Sequence, residues 1–156
     1  MLQHSMSALN ILLVDDNRIL VASLSYALRE ALGKATSVAV CSSGSEALAM
    51  LAAQRFDVVI SDLNMPDISG FELLNKIRQD YCETVLVVTT ASRTDALEEE
   101  AHRLGIGYIT RPFGLSLLVQ FIHDLIRSAE NAKIRDGTGN ASRISTPDPK
   151  GNTGVP

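Results

Sequence analysis

Short runs of apolar residues alternate along the chain with longer segments in which apolar residues recur every three or four positions. The runs predict five β-strands, NILLV (10–14), SVAVC (37–41), DVVIS (57–61), TVLVVT (84–89) and GYIT (107–110). Strands that are apolar at nearly every position are typical of parallel sheets with both faces covered. The alternation therefore predicts a doubly wound α/β fold, with a five-stranded parallel sheet between two layers of helices.

The segments between the strands have the spacing and the end signals of amphipathic helices. Ser43 with Glu46, and Ser69 with Glu72, form the capping-box pattern that opens a helix. Gly105 is a helix C-cap signal. With the apolar spacing, these signals predict helices over residues 18–32, 43–54, 69–79, 94–104 and 115–128.

The composition changes near residue 130. Residues 131–156 are rich in Gly, Asn, Ser, Thr and Pro and hold few large apolar side chains. Such a segment buries too little apolar surface to offset the entropy lost on ordering. We therefore predict one folded domain, residues 9–129, followed by a disordered tail or linker over residues 130–156.

The net charge, the length of the apolar runs and the cysteine positions of the 156-residue chain exclude several classes of function. A formal net charge of −4 gives no reason to expect binding to nucleic acid. The longest apolar run falls far short of the roughly 18 residues that a membrane helix needs, and the first ten residues lack the pattern of a signal peptide. Cys41 and Cys82 are isolated and have no metal-ligand spacing. A cytoplasmic protein without a membrane partner is the expectation.

Charged and hydroxyl side chains follow four of the five strands, at the point where each strand ends. They are Asp15 and Asp16 (first strand), Asp62 (third), Thr89 and Thr90 (fourth) and Arg111 (fifth). The carboxyl ends of parallel strands meet at one edge of the sheet, where ligands bind. Carboxylates brought together there repel each other unless a cation lies among them, and Mg²⁺ prefers such oxygen ligands. The pattern predicts a magnesium site that would also hold phosphate.

Each of these residues also has an ordinary structural interpretation. Asp16 or Asn17 could cap the first helix. A lone acid such as Asp62 after a strand is often a turn residue, and Arg111 could be a solvated surface charge. Their joint placement at the strand ends favours a functional site.

Four segments, ILLVDDNR, DVVISDLNMPDISGFELLNKIR, VVTTAS and GYITRPF, resemble the receiver domain of response regulators in two-component signalling. The resemblance extends to the single-domain chemotaxis regulators and covers roughly residues 9–128, with Asp-x-x-Met-Pro-x-x-x-Gly as a specific signal. It implies a flavodoxin-like strand order, 2-1-3-4-5. It also implies that Asp62 accepts a phosphoryl group from a histidine kinase, a phosphotransfer protein or a small acyl phosphate. Mg²⁺ would be held by Asp15, Asp16, Asp62 and the main-chain carbonyl of Asn64.

The resemblance further assigns residues that respond to phosphorylation. Thr90 takes the place of the family's switch hydroxyl, and it is preferred to Thr89 because its spacing to later residues matches. Tyr108 takes the place of the aromatic residue that turns inward, while Asn64 and Ser92 stand where dephosphorylation is modulated. The implied result is a population shift in the face built by helix 4, strand 5 and helix 5, which would control a partner protein or a homodimer.

One position departs from the family pattern. Arg111 stands directly before Pro112, where the family has lysine, and arginine's planar fork is not equivalent to lysine's compact ammonium. Arg111 could meet a phosphoryl oxygen or point outward. A degenerate receiver that docks partners without being phosphorylated therefore stays an alternative. The resemblance also implies a cis peptide bond between Arg111 and Pro112.

Two other classes fit the residues less well. An Mg²⁺-dependent aspartyl phosphatase would need a second acid two residues after the nucleophile, where this chain has Asn64. A flavodoxin-like nucleotide binder would need a Ser/Thr/Gly-rich phosphate loop after the first strand, where this chain has Asp15 and Asp16. The expected protein is a signalling phosphoacceptor, not an enzyme that acts on a separate metabolite.

The last predicted helix carries more apolar side chains than one helical stripe can hold. They are Leu115, Leu117, Leu118, Val119, Phe121, Ile122, Leu125 and Ile126. Either the sheet and the tail cover them, or some of them form a surface for a partner or a second copy of the chain.

Overall fold

Five strands alternate with five helices in the computed structural model, which describes the backbone of residues 8–141 and the side chains of residues 8–135. The elements are β1 Asn10–Val14, α1 Arg18–Leu32, β2 Ser37–Cys41, α2 Gly44–Ala53, β3 Val58–Asp62, α3 Gly70–Asp80, β4 Val85–Thr90, α4 Asp95–Arg103, β5 Gly107–Thr110 and α5 Leu115–Ala141. None of the helices within this part of the chain is both long enough and apolar enough to span a bilayer.

The strands form one parallel sheet in the order β2-β1-β3-β4-β5, which confirms the predicted fold class and strand order. The order reverses direction between β1 and β3, so this junction is the topological switch point of the sheet. In the register, Val14 of β1 lies beside Ser61 of β3, and Asp62 lies beside Thr89 of β4. The ends of the three central strands therefore meet at one edge.

Both faces of the sheet are buried, as the unbroken apolar runs predict. On one face, Leu12, Val59 and Val88 pack among residues of α2, α3 and α4. On the other face, Leu13 and Ile60 pack among residues of α1 and α5. Neighbouring residues of a strand point to opposite faces, so each strand is fixed from both sides and its end forms a rigid support for the polar residues that follow.

The predicted helix starts are confirmed at α2 and α3. The Ser43 hydroxyl accepts a hydrogen bond from the Glu46 N–H at 3.2 Å, and the Ser69 hydroxyl accepts one from the Glu72 N–H at 3.1 Å. The reciprocal half of the first capping box differs from the expectation, because the Glu46 carboxylate accepts from the Ser42 N–H at 3.1 Å.

The last helix is longer than the sequence pattern predicted. α5 continues to Ala141 instead of ending at residue 128, so the structure describes residues 130–141 as helical where the composition predicted a disordered tail or linker. Residues 129–135, AENAKIR, are mostly strong helix formers. Lys133 Nζ lies 3.5 Å from Glu83 Oε2, so the additional helical turns make an ion pair with the loop just before β4. The rest of the predicted tail, residues 142–156, lies outside the described residues.

The sheet covers most of the apolar side chains of α5. Leu118 and Ile122 are fully buried, and four others pack partly buried against the core. Leu115 and Leu117 are the members of the predicted set that stay exposed. The apolar excess therefore serves mainly the domain's own core.

The two cysteines are predicted to differ sharply in reactivity. Burial is the main cause that raises the pKa of the Cys41 thiol to about 12, whereas Cys82 is exposed. Because the thiolate is the nucleophile, we expect iodoacetamide at pH 8 to modify Cys82 of the native protein and to leave Cys41 unmodified. Peptide mass mapping measures this, with urea-unfolded protein as the control in which both react. Equal alkylation of both cysteines in the native protein would contradict the buried placement.

Candidate functional site

Three carboxylates meet at the edge of the sheet where β1 and β3 end. Ligand oxygens of Asp15, Asp16 and Asp62 all lie within 4.8 Å of one another. Asp15 directly follows β1 and Asp62 is the last residue of β3, so the pairing of these strands brings the two acids together. Both are buried, with 7% and 6% of their surface exposed, whereas Asp16 is exposed. The predicted acidic cluster is confirmed as a group that could hold a metal ion.

Asn17, in the turn after β1, is the residue that caps α1. The Asn17 side chain accepts a hydrogen bond from the Leu20 N–H at 3.1 Å, so Asn17 and not Asp16 is the N-cap. The Asn17 N–H in turn donates to Asp15 Oδ1 at 2.9 Å. Asp16 is therefore not used as a cap, and its carboxylate stays exposed at the cluster. The Asn17 N–H occupies one oxygen of Asp15.

The electrostatics of the cluster disfavour charge on Asp15. Burial raises the pKa of Asp15 most, and the nearby carboxylates of Asp62 and Asp16 raise it further. The hydrogen bond from the Asn17 N–H and the charge of Arg111 act in the opposite direction. The net effect is that the pKa of Asp15 is raised. A further positive charge at this edge would therefore stabilise the ionised cluster.

Arg111 points into the cluster rather than outward. Its Nη2 donates to Asp62 Oδ1 at 2.8 Å, and its Nη1 lies 3.5 Å from Asp15 Oδ2. The Arg111 N–H donates to the Thr90 carbonyl at 2.7 Å, which fixes the backbone at the end of β5. The peptide bond to Pro112 is cis, as expected. Arg111 Nε is buried and has no acceptor among the residues that the structure describes.

The predicted switch residues form a second group, held by one carbonyl. The buried Thr90 hydroxyl accepts from the Ser92 N–H at 3.1 Å and donates to the Ser92 carbonyl at 3.2 Å. The Tyr108 hydroxyl donates to the same carbonyl at 3.4 Å. Thr90 and Tyr108 thus both contact Ser92, and the hydrogen bonds of Thr90 do not reach Asp62.

Thr89 is the hydroxyl residue that lies beside Asp62. It neighbours Asp62 in the sheet register, and both line a cavity of about 20 Å³ together with Asp15 and Arg111. Such a volume holds about one water molecule. The side-chain alternation of β4 places Thr90 on the opposite face. By this geometry Thr89, and not the preferred Thr90, is the hydroxyl residue at the site; the strand register and the alternation of side chains are the signals that could have identified it.

The loop after Asp62, which carries Asn64, is fastened by an acid that the sequence reasoning missed. Asp67 accepts hydrogen bonds from the N–H groups of Gly44 and Ser45, at 3.0 and 2.9 Å, and from the Ser45 hydroxyl at 2.7 Å. These are the first backbone groups of α2, where a carboxylate is stabilised. The bonds hold the pKa of Asp67 well below its usual range. These bonds, the Asp67 clamp, join residues more than twenty positions apart in the chain, so no local sequence pattern indicates them.

The same loop is closed tightly at its far end. A Cβ atom on Gly70 would lie 2.4 Å from the Asp62 carbonyl oxygen, so only glycine fits there. The Gly70 N–H donates to the Leu63 carbonyl at 2.8 Å. The Asn64 side chain is exposed on this loop, and the role of its main-chain carbonyl as a metal ligand stays a prediction.

A model of the family described as the response regulator receiver domain matches residues 11–123. The chain belongs to this family. Receiver domains are parts of two-component signal transduction, which agrees with the expectation from the four sequence segments.

Curated relatives match the receiver domain and not their full length. The probable transcriptional regulatory protein TcrX of Mycobacterium tuberculosis is 33% identical over 120 residues, which are 75% of this chain and 49% of TcrX. The two-component response regulator ORR21 of Oryza sativa subsp. indica is 33% identical over 125 residues, 79% of this chain and 18% of ORR21. The chain thus spans half or less of the length of these relatives.

Solved structures match over nearly their whole length. The chemotaxis response regulator CheY4 of Vibrio cholerae has a TM-score of 0.68 and 30% identity, over 76% of this chain and 99% of CheY4. A CheY-like receiver domain protein from Methanospirillum hungatei JF-1 has a TM-score of 0.73 at 23% identity, over 81% and 99% of the two chains. The second likeness shows the receiver fold alone.

The Asp67 clamp predicts a pH-dependent difference in stability. The ionised carboxylate stabilises the fold, and its folded-state pKa lies below that of the unfolded chain. We therefore expect Asp67→Asn to lower the free energy of unfolding at pH 7, by an amount that shrinks as the pH falls below about 4. Urea unfolding followed by circular dichroism at pH 7 and pH 3 measures this, with exposed Asp80→Asn as the control. A deficit that is equal at both pH values would contradict the clamp.

Proposed function

We propose that this receiver domain accepts a phosphoryl group on Asp62 from a histidine kinase, a phosphotransfer protein or a small acyl phosphate. Mg²⁺ would be required, and the modification would shift the population of the face built by α4, β5 and α5. The observation that carries the proposal is the cluster of Asp62 with Asp15 and Asp16 within 4.8 Å, with the Arg111 guanidinium bonded to Asp62. An acceptor, metal ligands and a cation for the phosphoryl group thus lie at one edge.

The residues present fit Mg²⁺. The cluster offers oxygen ligands only, as a hard divalent cation prefers, and Asp16 is exposed and accessible to an ion. Asp15, Asp16 and Asp62 would hold the ion, together with the main-chain carbonyl of Asn64. The bound ion would offset negative charge on the transferring group.

The chain's own residues would perform the transfer. An Asp62 carboxylate oxygen attacks phosphorus, the bond from phosphorus to the donor's nitrogen or oxygen breaks, and the donor leaves with that electron pair. The end of β3, buried on both sides, holds the carboxylate in line. Arg111 would then turn its donors to the phosphoryl oxygens, which would also give its buried Nε the acceptor that it lacks.

The switch would act through the Ser92 carbonyl. In the structure the hydroxyls of Thr90 and Tyr108 both donate to it. A phosphoryl group on Asp62 would attract the Thr89 hydroxyl, which lies beside Asp62 in the sheet register, and a shift of Thr89 would change the position of the adjacent Thr90 and its bond to the Ser92 carbonyl. Because Tyr108 lies on β5 and Ser92 precedes α4, the change would reach the α4–β5–α5 face and a partner protein or second copy bound there.

One observation favours the alternative of a docking module that works without phosphorylation. Arg111 already neutralises Asp62 at 2.8 Å, so the charge of the acceptor is compensated before any phosphoryl group arrives. In neither case is the protein proposed to be an enzyme for a separate substrate. Asn64 stands where an aspartyl phosphatase would carry its second acid.

Phosphorylation is predicted to be measurable by intact mass. After incubation with acetyl phosphate and Mg²⁺ we expect the mass of one phosphoryl group on the wild-type chain, because the acceptor and its metal ligands are assembled. Asp62→Asn and the wild type with EDTA are the controls, and both should gain nothing. If the wild type gains nothing while Arg111→Lys does, the docking alternative is favoured. If neither gains a phosphoryl group, Asp62 is not the acceptor.

The switch role is predicted to belong to Thr89 and not to Thr90, because Thr89 lies beside Asp62 and Thr90 lies on the opposite face of β4. We expect phosphorylation to move the NMR signals of Tyr108 in the wild type. Thr89→Ala should still be phosphorylated, at a rate within about tenfold of the wild type, but should lose that signal change. Thr89→Ser should restore it. Retention of the signal change in Thr89→Ala, with its loss in Thr90→Ala, would reverse the assignment.

A further inference from the structure

Both carboxylate oxygens of Asp15 already have partners. Oδ1 accepts the Asn17 N–H at 2.9 Å, and Oδ2 pairs with Arg111 Nη1 at 3.5 Å. The Asn17 bond belongs to the turn that starts α1, because Asn17 is the N-cap. A metal ion that binds Asp15 through Oδ2 would compete there with Arg111, the partner that can move.

The guanidinium spans two acids with two different nitrogens. Nη2 contacts Asp62 Oδ1 at 2.8 Å while Nη1 faces Asp15. The side chain of Arg111 is 24% exposed, that of Asp15 9% and that of Asp62 7%. Solvent therefore screens these two ion pairs far less than it screens a pair on the surface. Arginine also keeps its charge at any ordinary pH. The cluster thus contains a permanent internal cation.

We propose that Arg111 is the resident cation of the acidic cluster and that Mg²⁺ binds by displacing its Nη1 from Asp15. This rests on the proposed function for the identity of the metal. The displacement leaves the guanidinium attached to Asp62 alone, with one Nη donor turned toward the position of the incoming phosphoryl group. Metal binding and the orientation of Arg111 are therefore coupled, and the arginine lowers the affinity of the cluster for the metal.

The substitution of arginine for lysine determines this competition. A lysine ammonium can meet both acids only with the donors of one nitrogen on a compact head, whereas Arg111 meets them with two nitrogens of a planar fork. The buried Nε without an acceptor indicates that the bridged arrangement leaves one of the arginine's donors unsatisfied. The bridge is therefore a state from which Arg111 can be displaced.

A titration with MgCl₂ alone, without a phosphoryl donor, tests the proposal. Backbone amide signals of Asp15 and Asp16 in the ¹⁵N-labelled protein give the dissociation constant. We expect Arg111→Lys to bind Mg²⁺ about two- to fivefold more tightly than the wild type, the range for breaking one partly exposed ion pair. Arg111→Gln should bind more tightly still, because it also removes the positive charge. Arg55→Lys, an exposed arginine that pairs with Glu83, is the matched control and should equal the wild type.

The outcomes separate this inference from the proposed function. Equal affinity of Arg111→Lys and the wild type, with tighter binding by Arg111→Gln alone, would mean that only net charge matters and would overturn the displacement. Weaker binding by Arg111→Lys would mean that the fork assists the metal, which also overturns it. If MgCl₂ moves no Asp15 or Asp16 signal in any variant, the metal site of the proposed function fails as well. Displacement of the Arg111 Nε–H signal by MgCl₂ in the wild type supports the coupling directly.

Discussion

The crowding of negative charge at one edge of the sheet is the constraint to which the rest of the site responds. Asp15 and Asp62 are buried and adjacent because β1 pairs with β3. Two carboxylates removed from water in close contact can both stay ionised only with a compensating cation. In the structure that cation is Arg111. The fold therefore maintains a site whose charge balance would change on the arrival of an ion or, in the proposed function, of a phosphoryl group.

The two-layered core makes that crowding possible. Strands packed on both faces cannot relax to separate the acids, because the residues before them, such as Val14 and Ser61, are fixed in the sheet. The loops add their own restraints. Asp67 ties the loop after β3 to the start of α2, and Gly70 closes it against the carbonyl of Asp62. Positioning in this domain thus comes from packing below the acids and from hydrogen bonds between elements around them.

The elements and the strand-end acids could be predicted because they leave local signals. Apolar runs identify buried strands, and an acid after such a run lies at the carboxyl edge wherever the sheet is parallel. The misses came from contacts between distant parts of the chain. The Asp67 clamp joins residues more than twenty positions apart, and the inward direction of Arg111 depends on acids from two other strands. At the end of α5, the polar composition of residues 131–156 predicted a tail, although the first part of this segment is rich in helix formers and contacts Glu83 through Lys133.

The charge balance and the switch group meet at the end of β4. The Thr90 carbonyl accepts the Arg111 N–H at 2.7 Å, while the Thr90 hydroxyl holds Ser92. One residue is therefore bonded through its backbone to the residue that carries the cation and through its side chain to the carbonyl that Tyr108 shares. The Arg111 backbone is therefore anchored to the end of β4, and only its guanidinium can exchange partners. The Thr90 side chain lies on the face of β4 opposite to Asp62, so a change at the cluster would reach it through its neighbour Thr89. In the proposed function, arginine in place of lysine would set how readily the cluster takes a cation, and the bonds at the Ser92 carbonyl would set how the result is transmitted.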